Sequence, residues 1–269
     1  MWNDVVMLEI KNLAVEVDGK EIIHNVNMTI PNGEVHILFG PNGSGKTTLM
    51  MSLMGFKDYK ITRGTIKYNG IDITNKSLDE RARMGIGMSF QRPPTIRGVL
   101  TRDVVKAIAR QYGTIPEEVS KFSSDLNLDT FMERHLNSGF SGGEIKRSEL
   151  LQLMVQDPGF ILLDEPESGV DLDNIELIGR TIRDIFWGKD HLRISHAKRE
   201  HKHSGLIITH TGYIMKYIGG DKGYVLRNGT IGCSGNAQEL LHDIQTRGYE
   251  QCLKCRCIEN EFVVKGVDV

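Results

Sequence analysis

Gly40-Pro41-Asn42-Gly43-Ser44-Gly45-Lys46-Thr47 follows the pattern G-x-x-x-x-G-K-[ST] at every fixed position. It stands between an apolar segment at 34–39, which reads as a buried strand, and a segment at 46–54, which reads as a helix ended by Gly55. A strand, a glycine-rich loop and a helix in that order leave consecutive backbone N–H groups facing inward, where a phosphate chain fits and the helix N-terminus adds partial positive charge. In such a loop Lys46 reaches the β and γ oxygens, and the Thr47 hydroxyl ligates Mg²⁺. The expected ligands are therefore a nucleoside triphosphate and Mg²⁺.

The rest of the chain agrees with an α/β fold. With 269 residues against roughly 150 per domain, one large domain or a domain with a subdomain is expected. Turn signals at Asp18-Gly19 and Asn69-Gly70 mark β-hairpins in the N-terminal third, an antiparallel β-subdomain. Between 92 and 137 strand signals vanish, and Thr101 and Thr114 look like helix N-caps, the latter with Glu117 three positions on. Beyond it strands and helices alternate: a helix at 144–156, a strand at 160–163, a helix at 174–187 with Ile175, Ile178, Ile182, Ile185 and Phe186 on one face, a strand at 206–209 and a hairpin at Asn228-Gly229. That alternation predicts a largely parallel sheet with helices on both faces. The division read from this pattern is an α/β core with its β-subdomain (7–91 and 145–250), an inserted helical subdomain (92–144), an insertion (188–204) and a cysteine-containing tail (251–269).

Composition excludes several classes. The chain is 39% apolar and 25% charged with a net charge of -2, which nominates neither nucleic acid nor an anionic membrane surface as partner. No apolar run approaches the ~18 residues a spanning helix needs, and the first ten residues carry Asp4 and Glu9 where an export signal has basic charge. Four cysteines in a chain this long are no disulfide framework, so a reducing, cytoplasmic setting is expected.

Two further motifs carry chemistry. The apolar segment Phe160-Ile161-Leu162-Leu163 ends in Asp164-Glu165, which delivers two acids to the sheet's C-terminal edge beside the phosphate loop. There Asp164 holds Mg²⁺ through water, and Glu165 polarises or deprotonates an attacking water. Ser141-Gly142-Gly143-Glu144 is a capping box whose adjacent glycines expose backbone donors suited to a terminal phosphate.

Taken in order, the phosphate loop, Gln91, Ser141-Gly142-Gly143, Asp164-Glu165, Ser168-Gly169-Val170-Asp171 and His210 resemble the ATP-binding cassette (ABC) family over residues 7–250. The resemblance implies a P-loop ATPase that works as a head-to-tail dimer, with the signature of one subunit closing over ATP held by the other. It implies nucleotide contacts along 40–48, Thr48 included, and at Val17. It implies further that Gln91 senses Mg²⁺ and the γ-phosphate, that Asp171 contacts the opposite subunit, and that His210 hydrogen-bonds the γ-phosphate. Glu165, His210 and Lys46 are then the catalytic group, with Thr47, Gln91 and Asp164 around the metal.

Longer stretches resemble the SufC branch of the family, the ATPases of iron–sulfur cluster assembly: Gly33-Glu34-Val35-His36, Asp58-Tyr59, Gly139-Phe140-Ser141-Gly142-Gly143-Glu144, Lys146-Arg147 and Arg247-Gly248-Tyr249. That branch implies a SufB-like scaffold protein docking near 92–99, strained by ATP-dependent homodimerisation, without nucleic acid or direct membrane insertion. Like that branch, the chain has only Glu16, Val17 and Asp18 where many transporter ATPases place an aromatic ring against adenine, so modest purine discrimination is expected. Pro166 within Asp164-Glu165-Pro166-Glu167 is more usual in transporter ATPases and keeps the ATP-binding subunit of an ABC transporter as the alternative. The long coiled-coil separation of DNA-repair relatives is missing, since Lys46 and Ser141 are only 95 positions apart.

Two segments lie outside the family pattern. The insertion at 188–204 carries His191, His196, His201 and His203 among basic residues, and reads as a solvated loop or a partner-docking element. Cys252, Cys255 and Cys257 have a spacing that suits zinc or an iron–sulfur cluster, with a fourth ligand from Cys233, a histidine, a partner or a second subunit, or sulfur carriage; the alternative reading is redox-sensitive surface thiols.

Overall fold

A computed structural model describes residues 6–188 and 202–264, and at 172, 173 and 251–264 the backbone alone. The N-terminal strands β1 (Val6–Val17) and β2 (Lys20–Pro31) pair with β4 (Lys60–Tyr68) and β5 (Ile71–Asp72) in an antiparallel sheet of order β2-β1-β4-β5. Asp18 and Gly19 turn the first hairpin with φ of 50° and 76°, the positive angles that a tight two-residue turn demands. Both hairpin strands run longer than their alternation suggests. Irregularities in β1, among them one between Ile10 and Leu13 where Asn12 takes φ 50°, reset the inward and outward phase.

The second sheet has the order β10-β9-β3-β8-β7-β6, from β3 (Val35–Phe39), β6 (Ile86–Ser89), β7 (Phe160–Asp164), β8 (Ser204–Ile208), β9 (Lys222–Arg227) and β10 (Thr230–Gly235). Every pairing in it is parallel except the β9–β10 hairpin, turned at Asn228-Gly229. β3, β7 and β8 are buried along their whole length, so they read as continuous apolar runs rather than as alternation.

The helices are α1 (Lys46–Met54), α2 (Leu78–Arg83), α3 (Thr101–Tyr112), α4 (Pro116–Asp125), α5 (Gly142–Gln156), α6 (Leu172–Trp187), α7 (Met215–Ile218) and α8 (Ala237–Val264), the last kinked at Gly248. They do not cover the two faces of the parallel sheet equally. On one face Ile37, Phe39, Ile161, Leu163 and Ile207 pack against Leu150 and Leu151 of α5, Ile178, Ile182 and Phe186 of α6, and Leu240 of α8. On the other face Leu38, Leu162, Leu206 and Ile208 meet Leu49, Met50 and Leu53 of α1 together with Leu13, Val15, Ile23 and Ile30 of the antiparallel sheet. Helices lie on both faces as expected, but α1 shares the second face with the antiparallel sheet, which has one apolar face of its own that closing on the parallel sheet buries.

Two further corrections concern helix starts. α3 and α4 are capped by Leu100 and Ile115, one residue later than Thr114 suggested for α4 and one earlier than Thr101 suggested for α3. Both threonine hydroxyls are engaged elsewhere, Thr101 Oγ1 donating to the Arg134 carbonyl and Thr114 Oγ1 to the Val155 carbonyl. Pro116 at the first position of α4 also holds Ile115 extended. Ser204, placed at the end of the insertion by the sequence, opens the buried strand β8. No helix among the described residues is long and apolar enough to cross a membrane.

Candidate functional site

β6, β7, β8 and β3 are neighbours running in one direction, so the residues that follow them emerge at one sheet edge. Register aligns them closely. Leu38 and Asp164 both pair with Ile208, which puts the phosphate loop and Glu165 beside the segment carrying His210. Ser89 pairs with Leu163, so Gln91 and Glu165 each stand two residues past a matched pair. The result is a cleft of about 830 Å³ lined by Val17, Asn42, Gly43, Gly45, Lys46, Thr47, Thr48, Gln91, Glu165 and His210, among others.

The loop itself depends on glycine where it enters α1. Gly45 takes φ +104°, and a Cβ there would come within 2.8 Å of Ile23 Cδ1. Lys46 is buried, and its ammonium donates to the carbonyls of Gly40 at 2.9 Å and Pro41 at 3.1 Å. Burial pulls its pKa below the ordinary lysine value, while the charges of Glu165 and Asp164 act in the opposite direction. Ser44 is buried with its hydroxyl unpartnered.

Glu165 sits at φ +49°, in a left-handed conformation uncommon for a side chain of its size, while its N–H is held by the Ile208 carbonyl at 3.0 Å. Its Oε2 accepts from Gln91 Nε2 at 2.5 Å and lies 2.8 Å from His210 Nε2. Three elements thus converge on one carboxylate oxygen. Asp164 is fully buried, with Oδ2 accepting from Thr47 Oγ1 at 3.1 Å and Oδ1 unpartnered. Burial raises its pKa above the usual aspartate value, against the lowering effect of the Thr47 hydrogen bond. A hydroxyl and a carboxylate with a spare oxygen form a hard-oxygen donor set that fits Mg²⁺.

The remaining sites are placed elsewhere. Ser141, Gly142 and Gly143 do not line this cleft. Ser141 caps α5, and the capping box forms in full, with Ser141 N–H donating to Glu144 Oε2 at 2.7 Å. A Cβ on Gly142 would meet the Gly169 carbonyl at 2.1 Å, so the tip packs directly on the loop after Glu165. Asp171 caps α6 by accepting from the Asn174 N–H at 2.9 Å. Cys252, Cys255 and Cys257 lie in the part of α8 where side chains are outside the described residues, while Cys233 is buried in the core. Of the insertion, His191, His196 and His201 lie outside the described residues; His203 is buried with Nε2 3.1 Å from Asp157 Oδ1.

Some residues at or beneath the site were not singled out for it by the sequence. Tyr59 lines the same cleft as Val17, because Glu16 pairs with Lys60 and sets Tyr59 beside the β1–β2 turn. The ring is not legible at 16–18 in the sequence because it comes from the segment before β4, brought beside β1 by strand pairing. Glu167 is buried, its Oε1 accepting from Thr209 Oγ1 and from Thr211 Oγ1 at 3.0 Å, the two residues flanking His210. Lys146 and Glu149 form a buried pair on α5, within Glu144-Ile145-Lys146-Arg147-Ser148-Glu149, a stretch whose polarity reads as a solvated helix face and carries no local signal of burial.

The family description "ABC transporter" matches residues 23–168. Probable ABC transporter ATP-binding proteins of Streptococcus pyogenes are 37% identical over 254 residues, covering 90% of this chain and 93% of theirs. Vegetative protein 296 of Bacillus subtilis is 35% identical over 95% of this chain and 97% of its own, and the probable ATP-dependent transporter ycf16 of Cyanidium caldarium is 34% identical over 91% and 95%. Among solved structures, a nucleotide-free ATP-binding cassette from an ABC transporter superposes with a TM-score of 0.71 at 24% identity, over 92% of this chain and 98% of that one. With its phosphate loop, its acidic strand end and these relatives, the chain belongs to the ABC family, as an ATP-binding subunit and a P-loop ATP-hydrolysing cassette.

Proposed function

We propose that this subunit drives iron–sulfur cluster assembly of the SUF type, through ATP-dependent pairing of two copies that strains a SufB-like scaffold. The observation that carries the catalytic part is the convergence of Gln91 and His210 on Glu165 Oε2 at the mouth of the phosphate loop. In this reading Lys46 exchanges the Gly40 and Pro41 carbonyls for β- and γ-phosphate oxygens, and Gln91 and His210 orient Glu165 toward the attacking water, whose proton it accepts. Thr47 and Asp164 hold Mg²⁺, which supplies neutralising charge for the phosphates. The signature Ser141-Gly142-Gly143 stands apart from its own chain's cleft, which supports completion of each site by a second copy.

The SUF role rests on the stretches quoted from the sequence, above all Gly139-Phe140-Ser141-Gly142-Gly143-Glu144 followed by Lys146-Arg147. A cavity of about 490 Å³ lined by Phe90, Pro93, Pro94, Ile96 and Ile108 adjoins 92–99 and supports docking of the scaffold there. Pro166, together with relatives named as transporter ATP-binding proteins, favours the second reading, an ABC transporter subunit. Pull-down from native extract separates the two: a stoichiometric soluble, β-rich partner supports the first, and a membrane permease replaces it with the second. Glu165→Gln is expected to bind ATP, to slow turnover by about 10² to 10⁴ and to accumulate ATP-bound dimers on gel filtration; unaltered turnover removes Glu165 from its role.

A further inference from the structure

The residue before Gln91 is gripped on both of its backbone groups by one helix. Phe90 N–H donates to Glu149 Oε1 at 2.9 Å, and the Phe90 carbonyl accepts from Lys146 Nζ at 2.5 Å. The residue before that, Ser89, donates through its hydroxyl to Glu149 Oε2 at 2.8 Å. Lys146 Nζ lies 3.8 Å from Glu149 Oε2, and all three of Ser89, Lys146 and Glu149 are buried. Removing charges this size from water costs several kcal/mol per ion, so a buried pair whose hydrogen bonds go to one loop is a costly way to hold a helix and an economical way to hold that loop. Its helix is α5, whose N-terminus is Ser141-Gly142-Gly143.

We propose that Lys146 and Glu149 are positioning residues that lock Gln91 to the signature helix, so that occupancy of the γ-phosphate position in one site is transmitted within the same subunit to the tip that completes the other site. The proposal rests on the ATP-site reading above. Two side chains one helical turn apart hold both polar groups of a single peptide residue, which leaves the backbone before Gln91 no independent freedom relative to α5. Gln91 in turn touches Glu165, so the path from Glu165 to the signature helix runs through Gln91, Phe90, Glu149 and Lys146 without a gap. Burial raises the Glu149 pKa to about 7 even though Lys146 and the Phe90 and Ser89 hydrogen bonds favour its charge, with Asp164 adding repulsion. The grip is therefore sensitive to pH near neutrality.

The test uses the full-length chain with Mg-ATP. Glu149→Ala and Lys146→Met, both checked for native circular dichroism, are expected to change ATP affinity less than about threefold while lowering kcat and ATP-driven dimer formation about tenfold. Glu149→Gln, which keeps an accepting oxygen for Phe90 N–H, is expected to recover part of the loss. In a Gln91→Ala background Glu149→Ala is expected to add nothing, because both act through one residue. Full additivity of the two substitutions, or wild-type kcat and dimer formation in folded Glu149→Ala, overturns the proposal. Lys46→Ala serves as the reference: if it binds ATP as well as the wild-type chain does, the ATP-site reading fails, whereas loss in Lys46→Ala with full function in Glu149→Ala fails the lock alone.

Discussion

Two buried charges, Arg81 and Asp164, show opposite ways of handling the same cost. Arg81 is 1% exposed and touches no carboxylate; its guanidinium donates to the carbonyls of Lys76, Ser52, Leu53 and Thr74 at 2.8 to 2.9 Å. Two of those carbonyls belong to the last turn of α1, where helix C-termini leave acceptors unpaired and favour a cation. Asp164 is equally buried but keeps one oxygen without a partner, at the edge where β7 meets the phosphate loop. A fully satisfied buried charge is a strut, and a half-satisfied one at a cleft is a place for a ligand. Both bear on α1: Arg81 holds its far end, and Asp164 reaches Thr47 at its near end.

Breaking the strut is expected to have the largest effect on stability. Arg81→Ala takes a donor from four carbonyls, of which only that of Ser52 keeps another in the Gly55 N–H, and opens space beside Gly55, and should lower unfolding free energy by about 3 to 5 kcal/mol in urea titration. A loss under about 1 kcal/mol would show that the carbonyls find water instead. Next comes the pH response of Glu149. Its folded pKa of about 7 lies above the ordinary glutamate value of 4.5, so the folded state binds the extra proton and stability falls as pH rises between those values. Glu149→Gln should remove that slope, worth about 3 kcal/mol at most, measured as the difference between denaturant midpoints at pH 5 and pH 8.

Asp164→Asn sharpens the contrast by removing charge where charge is poorly compensated. Stability in the absence of nucleotide should hold or rise by about 1 kcal/mol, while Mg-dependent turnover is lost. A fall in stability comparable to that of Arg81→Ala would make Asp164 a strut as well. The smallest expected effect is at the base end of the cleft. Tyr59→Ala should weaken ATP binding by about 1 kcal/mol if the ring covers the purine, the low end of base–aromatic stacking. Equal affinity in the variant assigns the base contact to the apolar side chains of Val17 and Ile22, which line the same cleft, and not to the ring.

The legible part of the molecule was local. Each strand end carrying site chemistry announced itself by an apolar run that stops at a glycine or a polar residue: Phe39 before Gly40, Leu163 before Asp164-Glu165, Ile208 before Thr209-His210. Capping at Ser141 was legible for the same reason, since its partners lie within one turn. Thr101 and Thr114 misled because the helix starts are set by other contacts: Pro116 holds Ile115 extended ahead of α4, and the bridge between Leu100 and His135, with the Thr101 N–H on the Arg134 carbonyl, sets the start of α3. Tyr59, Glu167 and the Lys146–Glu149 pair were illegible because their partners are brought to them by strand pairing and helix packing.

The sequence by itself determined which residues could meet a triphosphate, because a glycine loop, a lysine and an acid pair have that chemistry wherever they are placed. It also determined the α/β order, since apolar periodicity is a property of neighbours along the chain. Only the tertiary structure decided that the second face of the parallel sheet belongs to the antiparallel sheet and α1, that Gln91 and His210 share one oxygen of Glu165, and that a buried ion pair ties Gln91 to α5. The side-chain contacts among these join residues 45 to 74 positions apart, set by burial and register, which no local pattern encodes.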